Sequence, residues 1–239
     1  MVEYQRKDRY DINDLRDIMS ILRSPQGCPW DREQIHKSIR NDFIEEVYEA
    51  IEAIDLEDTE LLKEELGDVL LQIIFHCRIE EEKSCFDFDD ICDELCKKLI
   101  IRHPHVFGDI TVSDSGEVLK NWDSIKKETK GQTSYTETLT SVAKSLPALM
   151  RAQKVGKRAM RAGMDFSCVS DAVERVKSET DELEEAIRSG KKDDIYEELG
   201  DLLFSCVNTA RHLNIDAEEA LTRATCLLYT SPSPRDTER

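Results

Sequence analysis

Apolar residues recur every three or four positions along most of this chain, which is the spacing of one face of an α-helix. Near the start, Leu15, Met19 and Leu22 follow it, and the stretches between such segments contain the Pro, Gly, Ser and Asp residues typical of turns. The pattern predicts helices over residues 11–23, 33–55, 59–82, 88–101, 115–129, 139–161, 168–188, 191–212 and 216–225. The low aromatic content, 6%, also favours helices, so the sequence predicts an all-α protein.

The two halves of the chain repeat one helical pattern. The segment EELGDVLLQIIFHCR at residues 64–78 returns as EELGDLLFSCVNTAR at residues 197–211, so that Glu65 corresponds to Glu198. We expect two similar units that pack face to face or against a second chain. The predicted organisation is a first domain at residues 1–130, a linker at 131–140, an incomplete second domain at 141–225, and a tail at 226–239. The tail abandons the helical pattern, so we expect it to be disordered or foreign to the native gene product.

A polar seam interrupts the apolar surface of the first predicted hairpin. Glu65 and Asp68 lie one turn apart on its second helix, and Glu46 and Glu49 do so on its first. A short connection makes the two helices antiparallel neighbours, so the four carboxylates are expected to converge. Gly67, between the acids, would leave room for a neighbouring helix or a ligand.

Converging carboxylates in an apolar setting require a counter-charge. Oxygen-only ligation favours Mg²⁺, with Mn²⁺ as a substitute. In a chain with 51 acidic residues a single acidic pair is usually a solvated helix face, but two pairs repeated at one spacing favour a metal site.

Two other metal sites fit the sequence less well. Zinc could be imagined on Cys92, Cys96, His103 and His105, but their spacing matches no usual zinc motif. A di-iron bundle needs two E-x-x-H units, and the chain has one, Glu33–His36, outside the seam.

The charge balance restricts the partners. Acidic residues outnumber basic ones by 51 to 33, and the formal net charge of −18 repels nucleic-acid polymers and anionic membranes. The longest apolar run, near residues 69–75, is too short to span a bilayer, and from its polar composition we expect the amino terminus not to be a signal peptide. The eight cysteines lack paired C-x-x-C spacing and fit reduced thiols. We therefore expect a cytoplasmic protein.

The order Glu45-Glu46-x-x-Glu49, then Glu65-x-x-Asp68, resembles the signature of the MazG nucleoside triphosphate pyrophosphohydrolases. Flanking segments are similar to family segments as well: SPQGCPWDREQIHKS (24–38), RHPHVFGD (102–109), NWDSIKKETK (121–130) and LPALMRAQK (146–154). The resemblance covers about residues 11–225. It implies an all-α tandem repeat of MazG-like antiparallel helix hairpins, in units similar to four-helix bundles, assembled as a homodimer.

The resemblance also implies an activity and a set of site residues. The activity is Mg²⁺-dependent hydrolysis of an NTP or dNTP to the monophosphate and pyrophosphate. The metal ligands would be Glu46, Glu49, Glu65 and Asp68, with Glu179, Glu182, Glu198 and Asp201 as their repeats in the second half. Either Glu45 or Glu46 would activate the attacking water. Lys98, Arg102, Trp122 and Lys126 are similar to family K-x-x-x-R and W-x-x-x-K pairs, and would contact the phosphates and the base.

Other functions remain open at this point. A relative specific for dUTP or phosphoribosyl-ATP would share these motifs, and a non-catalytic acidic helical scaffold could bind a structural cation with the same carboxylates. The second half departs from the family pattern, because Ser178 takes the place that corresponds to Glu45 and the terminal W-x-x-x-K helix is missing. We therefore expect changes in the first half to harm activity more.

Overall fold

The structure is a computed structural model that describes residues 4–118, 121, 122, 125 and 134–230. All regular secondary structure in these residues is helical, as the sequence predicts. The chain divides into two compact units, Met1–Trp122 and Asp123–Arg239. No helix in the described residues is long and apolar enough to cross a membrane.

The first unit is built around a long antiparallel hairpin. Its helices are α1 (Ile12–Leu22), α2 (Pro29–Glu33), α3 (Arg40–Asp55), α4 (Thr59–Glu81), α5 (Phe88–Arg102) and α6 (Pro104–Phe107). Helix α3 packs along α4, and α1 and α5 also contact α4. Residues 115–118 are also helical, and most of the helix predicted up to residue 129 lies outside the described residues.

Side-chain caps explain where several of these helices begin. Asp11 accepts hydrogen bonds from the backbone N–H groups of Asn13 and Asp14, and the Asp14 carboxylate accepts one from the N–H of Asp11. Asp87 and Asp90 form the same reciprocal capping box at the start of α5. These caps satisfy N–H groups that a helix start leaves without partners.

The helix predicted at residues 33–55 is wrong at its start. Pro29 begins a separate short helix, α2, and α3 begins only at Arg40. The turn between them places Ile39 in the core, where it is 1% exposed. His36 fixes this turn on α4 through a hydrogen bond between the Nδ1 atoms of His36 and His76 (2.7 Å) and a contact with Glu80. The apolar period missed this break because Ile35 and Ile39 continue it.

Met19, Ile39, Ile74, Phe75 and Ile79 form the apolar core of the first unit. A partly buried ion pair closes one side of it: the buried Arg23 donates from Nε and Nη2 to the two carboxylate oxygens of Glu82 (2.9 and 2.8 Å). The Arg23 guanidinium also lies over the ring of Phe75. The core therefore joins α1, the turn before α3, and α4.

The second unit repeats the hairpin. Its helices are α7 (Tyr135–Thr140), α8 (Ala148–Arg161), α9 (Val169–Ser189), α10 (Lys192–His212) and α11 (Ala217–Thr230). Helix α9 packs along α10, and α8 packs on α10 and α11. Its interior is more polar than that of the first unit. Arg211, 8% exposed, pairs with Asp165, and Gln153 binds the backbone of Ile215 and Ala217.

The structure corrects the predicted elements around the second unit. The helix predicted at residues 139–161 begins at Ala148, because Pro147 cannot continue a helix from its amino-terminal side and instead occupies the N-cap position. Short helix α7 lies within the predicted linker at residues 131–140. Helix α11 continues to Thr230, past the predicted end of the domain at residue 225.

The two hairpins turn at equivalent positions with different residues. Glu57 follows α3 in the left-handed region, with φ +54°, and Gly190, its counterpart in the repeat, follows α9 with φ +71°. A non-glycine residue in this region costs about 1–2 kcal/mol, whereas glycine adopts it freely. The first hairpin therefore carries backbone strain that the second avoids.

Substitution of each of these two residues tests the role of backbone strain in the turns. We expect Glu57→Gly to raise the free energy of unfolding by about 1 kcal/mol and Gly190→Ala to lower it by a similar amount. A Cβ at Gly190 would meet nothing within 4 Å, so the loss would come from the backbone alone. Urea unfolding followed by circular dichroism measures both changes. A Glu57→Gly variant less stable than the parent would contradict the account.

The acid stability of the first unit should depend on Glu80. Hydrogen bonds from Lys83 and His36 lower the pKa of Glu80 from 4.5 to about 2. A carboxylate with a lowered pKa stabilises the fold above its unfolded pKa, and this contribution is lost as the pH falls from about 4.5 towards 2. In circular dichroism titrations, Glu80→Gln should flatten this part of the acid unfolding curve. The exposed Glu60, changed to Gln, serves as the control, and identical curves for both variants would refute this role.

Candidate functional site

The hairpin of α3 and α4 brings three of the predicted site residues together. Glu46 and Glu49 lie one turn apart on α3, and Glu65 faces them from α4. One carboxylate oxygen from each of the three lies within 4.8 Å of the others. Glu46 and Glu65 are partly buried and Glu49 is exposed. We call this set the first acidic cluster.

The hairpin geometry that makes this cluster is local. Asp58 caps α4 by accepting hydrogen bonds from the N–H groups of Glu60 and Leu61 (3.1 and 3.0 Å). Ala50 and Ala53, on the face of α3 towards the interior, are 7% and 0% exposed. These small residues let α3 and α4 approach closely, which holds acids on two different helices within reach of one another.

Asp68 and Glu45, two other predicted site residues, lie outside the 4.8 Å set. Asp68 is partly buried one turn beyond Glu65 on α4, and its negative charge acts on Glu46. Glu45 is exposed next to Glu46. Asp68 therefore belongs to the same electrostatic site, at its edge, and Glu45 lies at its solvent side.

The charges of the first acidic cluster repel one another. Burial raises the pKa of Glu46, and the negative charges of Asp68, Glu49 and Glu65 raise it further. Burial also raises the pKa of Glu65, followed by the charge of Glu49. In the described residues, none of these four acids forms an ion pair with a Lys, Arg or His side chain. The cluster therefore has an unbalanced negative charge that a bound cation would relieve.

The second unit contains the equivalent cluster. Oxygens of Glu179, Glu182 and Glu198 lie within 4.8 Å of one another, and we call this set the second acidic cluster. Asp201 is exposed and lies outside the set. Burial raises the pKa of Glu198, and the charges of Glu182 and Asp201 add to the shift. Both units thus bring together the first three predicted ligands and leave the aspartate outside.

The two clusters differ in their neighbours. Arg175 on α9 forms ion pairs with Glu179 and Glu182, and Ser178 donates a hydrogen bond to Glu182. Sequence reasoning missed Arg175 because it compared only the acidic positions of the repeat. The constant offset between the two halves pairs Arg175 with Asp42 of the first half. A comparison of these two positions would have revealed the difference in charge.

The sequence predicts that Gly67 leaves room for a neighbouring helix or for a ligand. A Cβ on Gly67 or on its repeat, Gly200, would meet no described atom within 4 Å. No helix of the described residues therefore comes close to the glycine. An open space beside the acids is still compatible with the approach of a ligand or of a second chain.

The predicted substrate-binding residues are not joined to the acids by any contact in the described residues. Lys98 is exposed and Arg102 is partly buried on α5. Trp122 is partly buried, and its ring meets that of His103 edge-on at 5.0 Å between centroids. Lys126 lies outside the described residues. Their roles therefore stay predictions.

The side chains of the clusters fit a hard divalent cation. In the described residues, the two acidic clusters are the only groups of three or more His, Cys, Asp or Glu side chains whose ligand atoms lie within 4.8 Å of one another. Cys92 and Cys96, considered for zinc, are exposed, and the Nδ1 of His103 contacts the backbone oxygen of Leu99 at 2.7 Å. His36, of the single E-x-x-H unit, contacts His76 and Glu80 instead. Carboxylate oxygens alone favour Mg²⁺ or a similar ion.

Comparison with known proteins supports the same family. The model of the MazG nucleotide pyrophosphohydrolase domain matches residues 34–107 and 169–226, which contain both acidic clusters and more than half of the chain. The two matched segments correspond to the two repeated hairpins.

Similar curated proteins cover most of the chain. It is 44% identical to the nucleoside triphosphate pyrophosphohydrolase of Escherichia coli (strain K12), over 89% of this chain and 82% of the relative. It is also 44% identical to the nucleoside triphosphate pyrophosphohydrolase/pyrophosphatase MazG of Thermotoga maritima, over 90% and 81%. The enzyme of Mycobacterium tuberculosis is 36% identical over 79% and 57%. The chain belongs to the MazG family of nucleotide pyrophosphohydrolases.

Proposed function

We propose that the protein hydrolyses nucleoside triphosphates, NTPs or dNTPs, to the monophosphate and pyrophosphate, with Mg²⁺ at the first acidic cluster. The observation that carries the proposal is the convergence of Glu46, Glu49 and Glu65 within 4.8 Å without an ion-pair partner in the described residues. Substrates of this class are named for the relatives in Escherichia coli and Thermotoga maritima. Mn²⁺ should substitute for Mg²⁺, since it accepts the same oxygen ligands.

The residues of the cluster would divide the work. Glu46, Glu49 and Glu65 would hold the metal, with Asp68 at the edge as a further ligand. When bound, Mg²⁺ neutralises charge on the phosphate oxygens and on the leaving pyrophosphate. Because the carboxylates come from two packed helices, their positions are fixed before the substrate arrives, which reduces the cost of reorganisation.

Water must attack the α-phosphorus while the bond to the β-phosphate oxygen breaks. A new P–O bond forms, pyrophosphate leaves with the electron pair, and a carboxylate accepts the proton of the water. We propose Glu45 for this last role, since it is exposed and outside the 4.8 Å set, while Glu46 is held within it. Glu46 is the alternative, because burial and its neighbours raise its pKa and make it a stronger base.

Residues on α5 and in the segment after it would complete the substrate-binding site. We propose that Lys98 and Arg102 contact the triphosphate, with Lys126, and that Trp122 stacks on the base. The net charge of −18 makes local cations necessary for any anionic substrate. Narrower specificity for dUTP or phosphoribosyl-ATP is decided by comparing these substrates in one assay.

We further propose that the protein works as a homodimer in the cytoplasm. Val47, Ile51 and Ile54 on α3 and Leu66 on α4 are exposed large apolar side chains around the first acidic cluster. Ile187 and Leu199 are exposed at the positions repeated from Ile54 and Leu66. A second copy of this chain would cover such apolar surface, and the open space at Gly67 would let it come close.

Phosphorus NMR of the reaction products tests the proposed cleavage. Incubation of a panel of NTPs and dNTPs with Mg²⁺ should release pyrophosphate and the monophosphate, and removal of the metal by EDTA should stop the reaction. Orthophosphate as the first product would refute cleavage between the α- and β-phosphates. Thermal stabilisation by Mg²⁺ without turnover of any substrate would instead favour the acidic scaffold.

Conservative changes of the acids test the site. Glu65→Gln and Asp68→Asn should lower kcat by about a hundredfold or more, since loss of one ligand weakens the metal site. Glu64→Gln is the matched control, because Glu64 precedes Glu65 on α4 but is exposed and outside the cluster. Circular dichroism should show all three folded. Rates close to the parent in Glu65→Gln would overturn the assignment.

A comparison of the two halves tests which cluster is active. Glu49→Gln should lower kcat far more than Glu182→Gln, its counterpart in the second half, because the second acidic cluster has Ser178 in place of Glu45 and an arginine among its acids. Steady-state kinetics of the two variants in parallel provide the measurement. Equal losses, or a larger loss in Glu182→Gln, would contradict the expectation.

A further inference from the structure

The second acidic cluster contains its own cation. The Nε of Arg175 lies 2.6 Å from Oε1 of Glu179, and its Nη1 lies 3.3 Å from Oε1 of Glu182. One guanidinium therefore bridges two of the three carboxylates that the repeat equates with metal ligands. Glu179 is 3% exposed in its side chain, so its negative charge requires such a partner.

Hydroxyl groups satisfy the same oxygens. Ser178 donates to Oε1 of Glu182 at 2.8 Å, and Ser205 lies within 3.5 Å of Oε1 of Glu179 as a weaker donor. A metal ion that took these oxygens would have to displace the guanidinium and at least one hydroxyl. Each displaced contact would reduce the net gain from metal binding.

The first acidic cluster has the opposite charge at the corresponding position. Arg175 corresponds in the repeat to Asp42, which is partly buried in the first turn of α3. In the described residues, no Lys or Arg side chain forms an ion pair with Glu46, Glu49 or Glu65. The first acidic cluster thus keeps its negative charge available, and the second is largely compensated.

We propose that Arg175 is a built-in counter-ion that takes the place of the metal charge in the second acidic cluster. The first cluster is then the divalent-metal site of the chain, and the second is held together without a metal. This inference rests on the proposed function, since it assumes that the first cluster takes the metal. The two clusters have glutamates at equivalent positions, and Arg175 then accounts for the difference in their metal affinity.

One oxygen of the second cluster shows that the compensation is incomplete. Oε2 of Glu179 is buried and has no hydrogen-bond partner among the described residues. Arg175 binds only the other oxygen of this carboxylate. Removal of the guanidinium would leave Glu179, Glu182 and Glu198 converging around a buried, unpaired oxygen, which is the setting that favours a hard cation.

The test uses Mn²⁺ binding to the full chain, measured by electron paramagnetic resonance and by calorimetry without nucleotide. In the Glu49→Gln background, which disables the first cluster, we expect tight Mn²⁺ binding to be lost. Adding Arg175→Met should restore it, with an affinity at least about tenfold above that of Glu49→Gln alone, because an arginine charge beside the site has been removed. Adding Glu182→Gln as a third change should abolish it again, which locates the new site.

Two results would overturn the proposal. Tight binding that survives Glu49→Gln and disappears in Glu182→Gln would show that the second cluster takes a metal despite Arg175. A folded Glu49→Gln/Arg175→Met protein with no gain in affinity would show that Arg175 does not control the site. Arg175→Lys in the same background keeps the positive charge and should show no gain in affinity, and circular dichroism should show both variants folded.

A reciprocal change provides an independent check in the first unit. Asp42→Arg places a guanidinium beside the first acidic cluster and should weaken Mn²⁺ binding there by about tenfold or more. Asp42→Asn, which removes charge without adding a cation, should have a smaller effect. Equal effects of the two variants would contradict the proposed role of the guanidinium.

These binding measurements do not depend on turnover, so an absence of pyrophosphate release would refute the proposed function and leave the role of Arg175 to be decided separately.

Discussion

Repulsion between carboxylates on two packed helices is the constraint on which this structure depends. The hairpin of α3 and α4 places Glu46, Glu49 and Glu65 within 4.8 Å of one another, and small alanines hold the helices close. Burial and mutual repulsion raise the pKa of Glu46 and Glu65. The fold has to supply the packing that maintains this arrangement, and a bound cation would relieve the repulsion. The nucleotide chemistry of the family follows from the same arrangement, since a cation held by carboxylates can also bind phosphate oxygens.

The two units differ in how the negative charge of their acidic clusters is compensated. The first leaves its cluster without an ion-pair partner in the described residues, whereas the second places Arg175 across Glu179 and Glu182. The interiors of the two units also differ in polarity. The interior of the first unit is mainly aliphatic and aromatic, and that of the second includes buried Gln153, Asn208 and Arg211. Both units have the hairpin and its three glutamates, whereas the charges beside the glutamates differ.

Much of the fold could be predicted from the sequence because it is encoded locally. Apolar periodicity marked the hairpins, and the constant offset between the two halves marked their repetition. The start of α3 was missed because Ile35 and Ile39 continue the helical period through a turn that His36 fixes by long-range contacts. In the site, the convergence of the three glutamates followed from helix geometry. The separate position of Asp68 and the ion pairs of Arg175 depend on side-chain placement, which spacing does not determine.

The most direct test of the central claim is crystallography of the full chain soaked with Mn²⁺, with data collected for the anomalous signal of manganese. The account predicts an anomalous peak between the carboxylates of Glu46, Glu49 and Glu65, with oxygen ligands at about 2.1–2.2 Å, close to the distances of Mg²⁺ sites. Carboxylates that point into solvent, with no peak between α3 and α4, would contradict it.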